Sequence, residues 1–236
     1  ANGAPRILDF GCGTGTLVAK GRAQSVEIWG ADAYPRHWTG PSDPTLMAFI
    51  QVITDARLPF PDGHFDVVVS NFVFEHMKFD DLDASLAEIS RVLRPGGALL
   101  ALFPSRDVWF EGHFGLYFPH RLRAFPRLCW RYLWLMHRLG LGYQRGNFTS
   151  AEWADRQLHI LQTDVFHHNW SQVSRLFARH LGTKPTSLAP SFMRFRFSRL
   201  PSAFAAFAKI AARLPDPLLA FICHKRAGRV ACTRKA

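Results

Sequence analysis

A chain of 236 residues, 48% of them hydrophobic, suffices for one sizeable α/β domain with an added segment and is short for two full domains. No run of about 18 uncharged apolar residues occurs, so no membrane-spanning helix is expected, and the opening ANGAPRILDF reads as direct entry into a strand rather than as a signal region. The net charge of +11 is uneven: residues 1–104 carry eight basic and twelve acidic side chains, residues 105–236 the other 21 and six.

The basic half is also rich in Phe and Trp. That combination points to an anionic partner, whether a membrane surface, a nucleic acid or a phosphorylated substrate; an arginine-rich solvated face is the plain alternative. Cys12, Cys129, Cys223 and Cys232 form no CxxC pair and no Cys/His set at zinc spacing. Free thiols in a reducing cytoplasm are expected, with no metal site and no disulfide framework.

In chain order, residues 6–10 (RILDF) form an apolar run that ends in glycines, as a buried parallel strand does. A helix can start at once over 14–22. Strands are predicted at 26–31, closed by Asp32, and at 50–54, followed by Asp55. Between them the Pro-rich stretch 34–49 reads as a loop with one helical turn. After a turn holding Asp62-Gly63 comes a strand at 65–70 (FDVVVS). Residues 80–93 space Leu82, Leu86, Ile89 and Leu93 as a helix does, Pro95-Gly96-Gly97 stops it, and 98–103 is a fifth strand. Strands alternating with helices imply a parallel sheet with right-handed crossovers. Beyond Pro104 the pattern changes: 105–120 is loop-like and aromatic, 121–141 helix-compatible, 146–169 mixed, 170–181 helical, 184–188 a strand, 203–214 helical and 229–234 a last strand.

The strongest motif is Asp9-Phe10-Gly11-Cys12-Gly13-Thr14-Gly15, a glycine-rich turn between strand and helix. Glycine permits positive φ and close approach of a ligand. A dinucleotide site wants G-x-G-x-x-G at a helix N-terminus. Here the pattern is D-x-G-x-G-x-G, and Asp9 would repel a pyrophosphate but suits a cationic ligand such as a sulfonium amino acid. Asp32 at the next strand end can accept both hydroxyls of a ribose, Asp55-Ala56 can read an adenine edge, and Ser70-Asn71 lies beneath. All sit on the C-terminal edge of the sheet, where open α/β sheets bind ligands.

These residues resemble the class I S-adenosylmethionine (SAM)-dependent methyltransferases, especially the small-molecule group that includes quinone-biosynthesis enzymes. The matching pieces are ILDFGCGTG, the acid of GADAYP, DARLPFPDGHFDVVVS, NFVFEHM and EISRVLRPGGALLALFP, which cover residues 6–104 in order. The resemblance implies a Rossmann-like, mainly parallel seven-stranded sheet flanked by helices, with a helical basic-aromatic insertion. It implies a SAM-binding core at 1–104, and substrate-binding or lid helices plus the last strands of the same sheet at 105–236. It places Asp9, Gly11, Cys12, Gly13 and Gly15 on the methionine part of SAM, Asp32 and Ala33 at the ribose, Asp55 and Ala56 at the adenine, and Asn71 beside the sulfonium, with S-adenosylhomocysteine as product. The family's helix before the first strand is nearly absent, so a natural N-terminal segment is expected to be missing.

Methyl transfer from a sulfonium is an in-line displacement that needs alignment and exclusion of water. A hydroxyl acceptor also needs a base, and no metal is required by this logic. The candidate catalytic residues are His76 in FEHM and His113 in EGHFG, with His120 and His167-His168 as further candidates; the last pair could fold back over the site. For each, a surface or loop histidine is the plainer reading. Residues 111–122 (EGHFGLYFPHRL) resemble a segment of bacterial methyltransferases encoded with glycan-assembly enzymes. The expected acceptor is therefore a small molecule or glycoconjugate, lipid-linked in one version, handled in the cytoplasm or peripherally at the inner membrane face. The 121–141 helix would be a lid packed on the core, an interfacial helix, or both. An RNA or protein methyltransferase is the alternative, against which stands the lack of an Asn/Asp-Pro-Pro-aromatic motif after strand four. A non-catalytic SAM-binding protein is the third.

Overall fold

The computed structural model describes residues 3–33, 40–41, 43–54 and 57–236. Strand β1 (Ile7–Phe10) runs into the glycine turn and helix α1 (Thr16–Arg22). Strands β2 (Ile28–Asp32), β3 (Ile50–Val52) and β4 (Phe65–Asn71) follow, then helix α2 (Phe79–Val92) and strand β5 (Leu93–Phe103). Leu8 lies opposite Trp29 on one side and Val68 on the other, all in parallel register. Apolar residues on both faces of such strands are what burial of both faces demands. Pro95 cannot continue a helix, and α2 ends three residues before it.

The second half adds the short strands β6 (Phe110–Glu111) and β7 (Leu116–Tyr117), then helices α3 (Pro126–Arg138), α4 (Ser150–Thr163) and α5 (Trp170–Leu181). Strand β8 (Thr186–Ser187), helices α6 (Ala189–Ser198), α7 (Ala205–Ala212) and α8 (Asp216–Arg226), and strand β9 (Arg229–Arg234) complete the chain. The main sheet is seven-stranded in the order β3-β2-β1-β4-β5-β9-β8. Only β9 and β8 run antiparallel to their neighbours. The expected mainly parallel seven-stranded sheet is therefore present, and its last strands come from the second half of the chain.

Several boundaries move. The helix expected over 121–141 is a 3-10 turn (Pro119–Leu122) followed by α3, because Pro126 opens a new helix at its first position. The mixed stretch 146–169 contains α4, begun by a capping box in which Thr149 and Glu152 bond each other's backbone N–H groups. Helices α6 and α8 were not expected. The Pro-rich loop does hold one turn, a 3-10 turn at Pro44–Ala48.

The main core packs Leu82, Leu86 and Ile89 of α2 and Val173, Phe177 and Leu181 of α5 against Val68, Leu99 and Phe103 of the sheet. Phe74 sits at its centre, its ring 5.5 Å from Phe103 and 6.1 Å from Phe177. A second core joins Cys129 and Leu133 of α3 to Trp153, Ala154 and Leu161 of α4 over Phe114 and Leu116. One side of α3, Cys129 and Leu133, is thus packed within the protein, while Leu128 and Leu135 stay exposed. Among the described residues no helix is long and apolar enough to cross a membrane.

Arg91 ties α2 to the turn before β4. It holds Glu88 through two nitrogens, reaches Asp62 at 2.7 Å, and donates to the carbonyls of Phe60 and Leu58. Asp66 accepts from the Arg6 backbone at 2.7 Å and pairs with Arg94, so both turn acids shape the approach to β4. Arg91→Ala is expected to cost about 2 kcal/mol, since it leaves a half-buried carboxylate and two carbonyls without their donor. For a chain of this size that lowers Tm by roughly 4–8 °C. A thermal melt with no shift would show that solvent replaces the whole network.

Candidate active site

The cofactor side is built by the turn after β1. Gly11 has φ +73°, and a Cβ there would come within 2.4 Å of Val73 Cγ2. A side chain would therefore push the post-β4 segment away from the turn. The backbone N–H of Gly13 donates to Asp32 Oδ2 at 2.7 Å, so the acid at the end of β2 also shapes the loop. Gly15 (φ +75°) caps α1, Cys12 is buried, and Ala33 is exposed beyond β2. Asp55 and Ala56 lie outside the described residues.

Asp9 is 5% exposed. Burial, then the negative charge of Asp32, pushes its carboxyl up to about 7. Two carboxylates at neighbouring strand ends beside a glycine turn fit a ligand that brings a positive charge and vicinal hydroxyls, as SAM does.

A second group of candidate residues lies beyond β4 and β5. Glu75 and His76 sit on a 3-10 turn (Phe74–His76) that follows β4. Phe72 just before it has φ +56°, a left-handed conformation that is costly for an aromatic residue. His113 occupies the four-residue loop of the β6–β7 hairpin, and its Nε2 stands 3.2 Å from His76 Nε2. Its Nδ1 donates to Glu111 Oε1 at 2.5 Å, and the other oxygen of Glu111 bonds His167. Burial alone would raise the Glu111 carboxyl, but its bonds to His113 and His167 hold it well below the carboxylate range. Burial also pushes the His113 imidazole down, and the Glu111 bond and charge more than offset this, so its pKa rises. His76 goes the other way: burial lowers it, and His113 adds to that.

Residues 165–168 fold back over this turn. The Phe166 N–H donates to the Glu75 carbonyl at 2.5 Å, and His168 Nε2 lies 3.1 and 3.0 Å from the carbonyls of Phe74 and Met77. The expected return of His167-His168 over the site is thus realised. Two of the histidines read as surface or loop groups are not at the surface, although His168 does lie in a loop. His168 and His120 are buried, the first bonded to backbone, the second stacked on His167 at 4.5 Å with its pKa pushed down to about 4 by burial. Glu75 and Glu111, which sequence reasoning passed over, are both fully buried.

Asn71 and His113 face a cavity of about 1020 Å³. Phe72, Phe110, Phe192 and Phe197 wall it, and Arg196, Arg199 and Arg226 stand among these rings. The glycine turn and the two acids lie on one side of the strand ends, the His/Glu cluster and the cavity on the other.

Sheet order, glycine turn and acids together define a class I methyltransferase fold. A family model described as a methyltransferase domain matches residues 8–101. The demethylmenaquinone methyltransferase of Thermus thermophilus is 37% identical over 159 residues, 51% of this chain and 67% of that protein. That of Deinococcus radiodurans is 38% identical over 54% of each chain. The ubiquinone/menaquinone biosynthesis C-methyltransferase of Laribacter hongkongensis is 40% identical over 44% of each. The chain thus spans two thirds of the first relative and about half of the others. A SAM-dependent methyltransferase of Mesorhizobium loti, 15% identical, superposes with a TM-score of 0.51 over 98% of this chain and 91% of its own, a likeness of fold. The chain belongs to the class I SAM-dependent methyltransferases.

A cationic ligand binds the ionised form of Asp9. Below the raised value of about 7, binding must release the proton. The Kd for SAM is therefore expected to rise toward tenfold for each pH unit below that point and to level off above it. Calorimetry from pH 5.5 to 8.5 measures this, and Asp9→Asn should weaken binding and flatten the profile. A wild-type Kd independent of pH would remove Asp9 from the ligand's positive charge.

Proposed function

We propose that the chain transfers a methyl group to an amphipathic small-molecule or glycoconjugate acceptor, lipid-linked and anionic, seated in the cavity beside His113. In this reading Asp9, Gly11, Cys12, Gly13 and Gly15 hold the methionine part of SAM, Asp32 and Ala33 the ribose, Asp55 and Ala56 the adenine, and Asn71 the region of the sulfonium. When bound, SAM supplies an electrophilic methyl on sulfur. The observation that carries the reading is the cavity: its Phe walls suit an apolar part, and its three arginines suit a phosphate or carboxylate.

The chain's residues then have separable tasks. Asn71 and Phe72 position the acceptor at the strand edge. The Phe walls exclude water from the in-line path. The His76–His113 pair handles the acceptor's proton, with the ring of His113 fixed through Nδ1 by Glu111. Phe195 and Phe207 at the same cavity are 56% and 58% exposed. Exposed aromatics among arginines suit peripheral contact with a membrane that carries the acceptor. The relatives' names make a demethylated quinone the first small molecule to try.

The test is transfer of labelled methyl from SAM to three pools: lipid-linked glycans, demethylated quinones and RNA. Label in the lipid-linked glycans supports the reading; label in the quinones alone supports a small-molecule acceptor and overturns its anionic character; label confined to RNA, or none in any pool, overturns the reading. The double variant Arg196→Ala/Arg199→Ala should raise KM for an anionic acceptor by roughly tenfold or more, the worth of about one charge-assisted hydrogen bond, with kcat little changed. Equal losses in kcat and kcat/KM would place those arginines in transition-state contact.

A further inference from the structure

His76 Nδ1 lies 2.8 Å from the carbonyl of Asp164, and a carbonyl only accepts, so Nδ1 carries the hydrogen. His113 Nδ1 likewise donates to Glu111 Oε1. Both tautomers are therefore set, and both rings turn Nε2 toward one point, 3.2 Å apart. Two neutral imidazoles in this arrangement direct lone pairs at each other, and a positive species must stand between or beside them. Glu75 adds a second demand. Its carboxylate is fully buried, and neither oxygen has a hydrogen-bond partner among the described residues. A proton shared by the two rings would relieve the nitrogens and leave both oxygens unanswered. A cation among all three side chains answers both demands.

We propose that Glu75, His76 and His113 form a binding site for one divalent transition-metal ion, with its remaining coordination open to the acceptor cavity. The three ligand atoms lie within 4.8 Å of one another. Two nitrogens each about 2.05 Å from a tetrahedral ion stand roughly 3.3 Å apart, close to the spacing here. Two imidazoles and one carboxylate select zinc-like ions over magnesium, which prefers oxygen. The second nitrogen of each ring is held by a carbonyl or a carboxylate, the outer support that metal-binding histidines usually have. Three protein ligands leave an open position, and His113 lines the cavity, so that position faces the acceptor. With both Nε2 atoms on the ion, the histidine pair would serve the acceptor's proton through it: the ion would hold an oxygen of the acceptor and lower its pKa. This role rests on the methyltransferase reading, whereas occupancy of the site does not.

A second cluster, Glu111, His120 and His167, also brings ligand atoms within 4.8 Å. Both Glu111 oxygens are already engaged by His113 and His167, which makes Glu111 a support for the first site.

The experiment is titration of the metal-stripped full chain with Co2+, read by visible absorption, with SAM binding measured on the same sample. One tight Co2+ per chain is expected, displaced by Zn2+ and not by Mg2+. Glu75→Gln, nearly isosteric, should weaken Co2+ at least tenfold, and His120→Ala should leave it unchanged. A wild-type chain that binds SAM but no stoichiometric Co2+ overturns the metal site and leaves the methyltransferase reading standing. Equal Co2+ binding by Glu75→Gln, or its loss in His120→Ala, also overturns the assignment. Co2+ bound as expected without SAM would instead count against the cofactor reading.

Discussion

The carboxylate of Glu111 holds the acceptor side of this protein together. It is fully buried, and it joins two segments far apart in the chain: its own hairpin, whose loop carries His113, and the His167 segment between α4 and α5. An ion in that position is stable only because two imidazoles meet it, and it fixes which nitrogen of His113 faces His76. The packing of α3 and α4 depends on the same hairpin. Phe114 and Leu116, just beyond Glu111, form the floor on which α3 and α4 pack, so the second core and the polar cluster are positioned by one short hairpin.

The cofactor side obeys a different constraint. Parallel strands bring all their C-terminal ends to one edge, and the chain places acids there at two successive strands, Asp9 and Asp32. Burial, and then the charge of Asp32, raises Asp9, and Asp32 accepts the N–H of Gly13. An acid at the first strand end suits the positive charge of a sulfonium nucleoside better than a pyrophosphate.

That edge was legible in the sequence because it is local. Asp9 through Gly15 is one contiguous run, and β9 emerged with the bounds expected of it, since an alternating strand next to the terminus has little competition. The second half was less legible for identifiable reasons. The FMRFRF run of α6 alternates apolar and basic residues at a strand's period, yet tertiary packing against α7 and α8 makes it helical. Helix α8 shows no polar face over its LLAFIC stretch, so periodicity gives no signal. Helix α4 did carry one, the Thr149/Glu152 capping box. The cluster itself was out of reach: Glu75, Glu111 and His167 are separated by dozens of residues, and nothing in their spacing announces that β4, the hairpin and the loop before α5 converge.

The basic half reads differently once its arginines are placed. Arg123 donates to the carbonyls of Val165 and Gln162, Arg145 to those of His137 and Gly140, and Arg229 to Asp107. Arg229 also stands over Trp170. These cations cap carbonyls and cover aromatic faces within the protein. A surface that tracks a nucleic-acid backbone needs its cations free and in series. The arginines left beside the cavity are instead gathered among exposed Phe side chains. A charge excess that looks in composition like a phosphate-binding footprint is therefore in part structural.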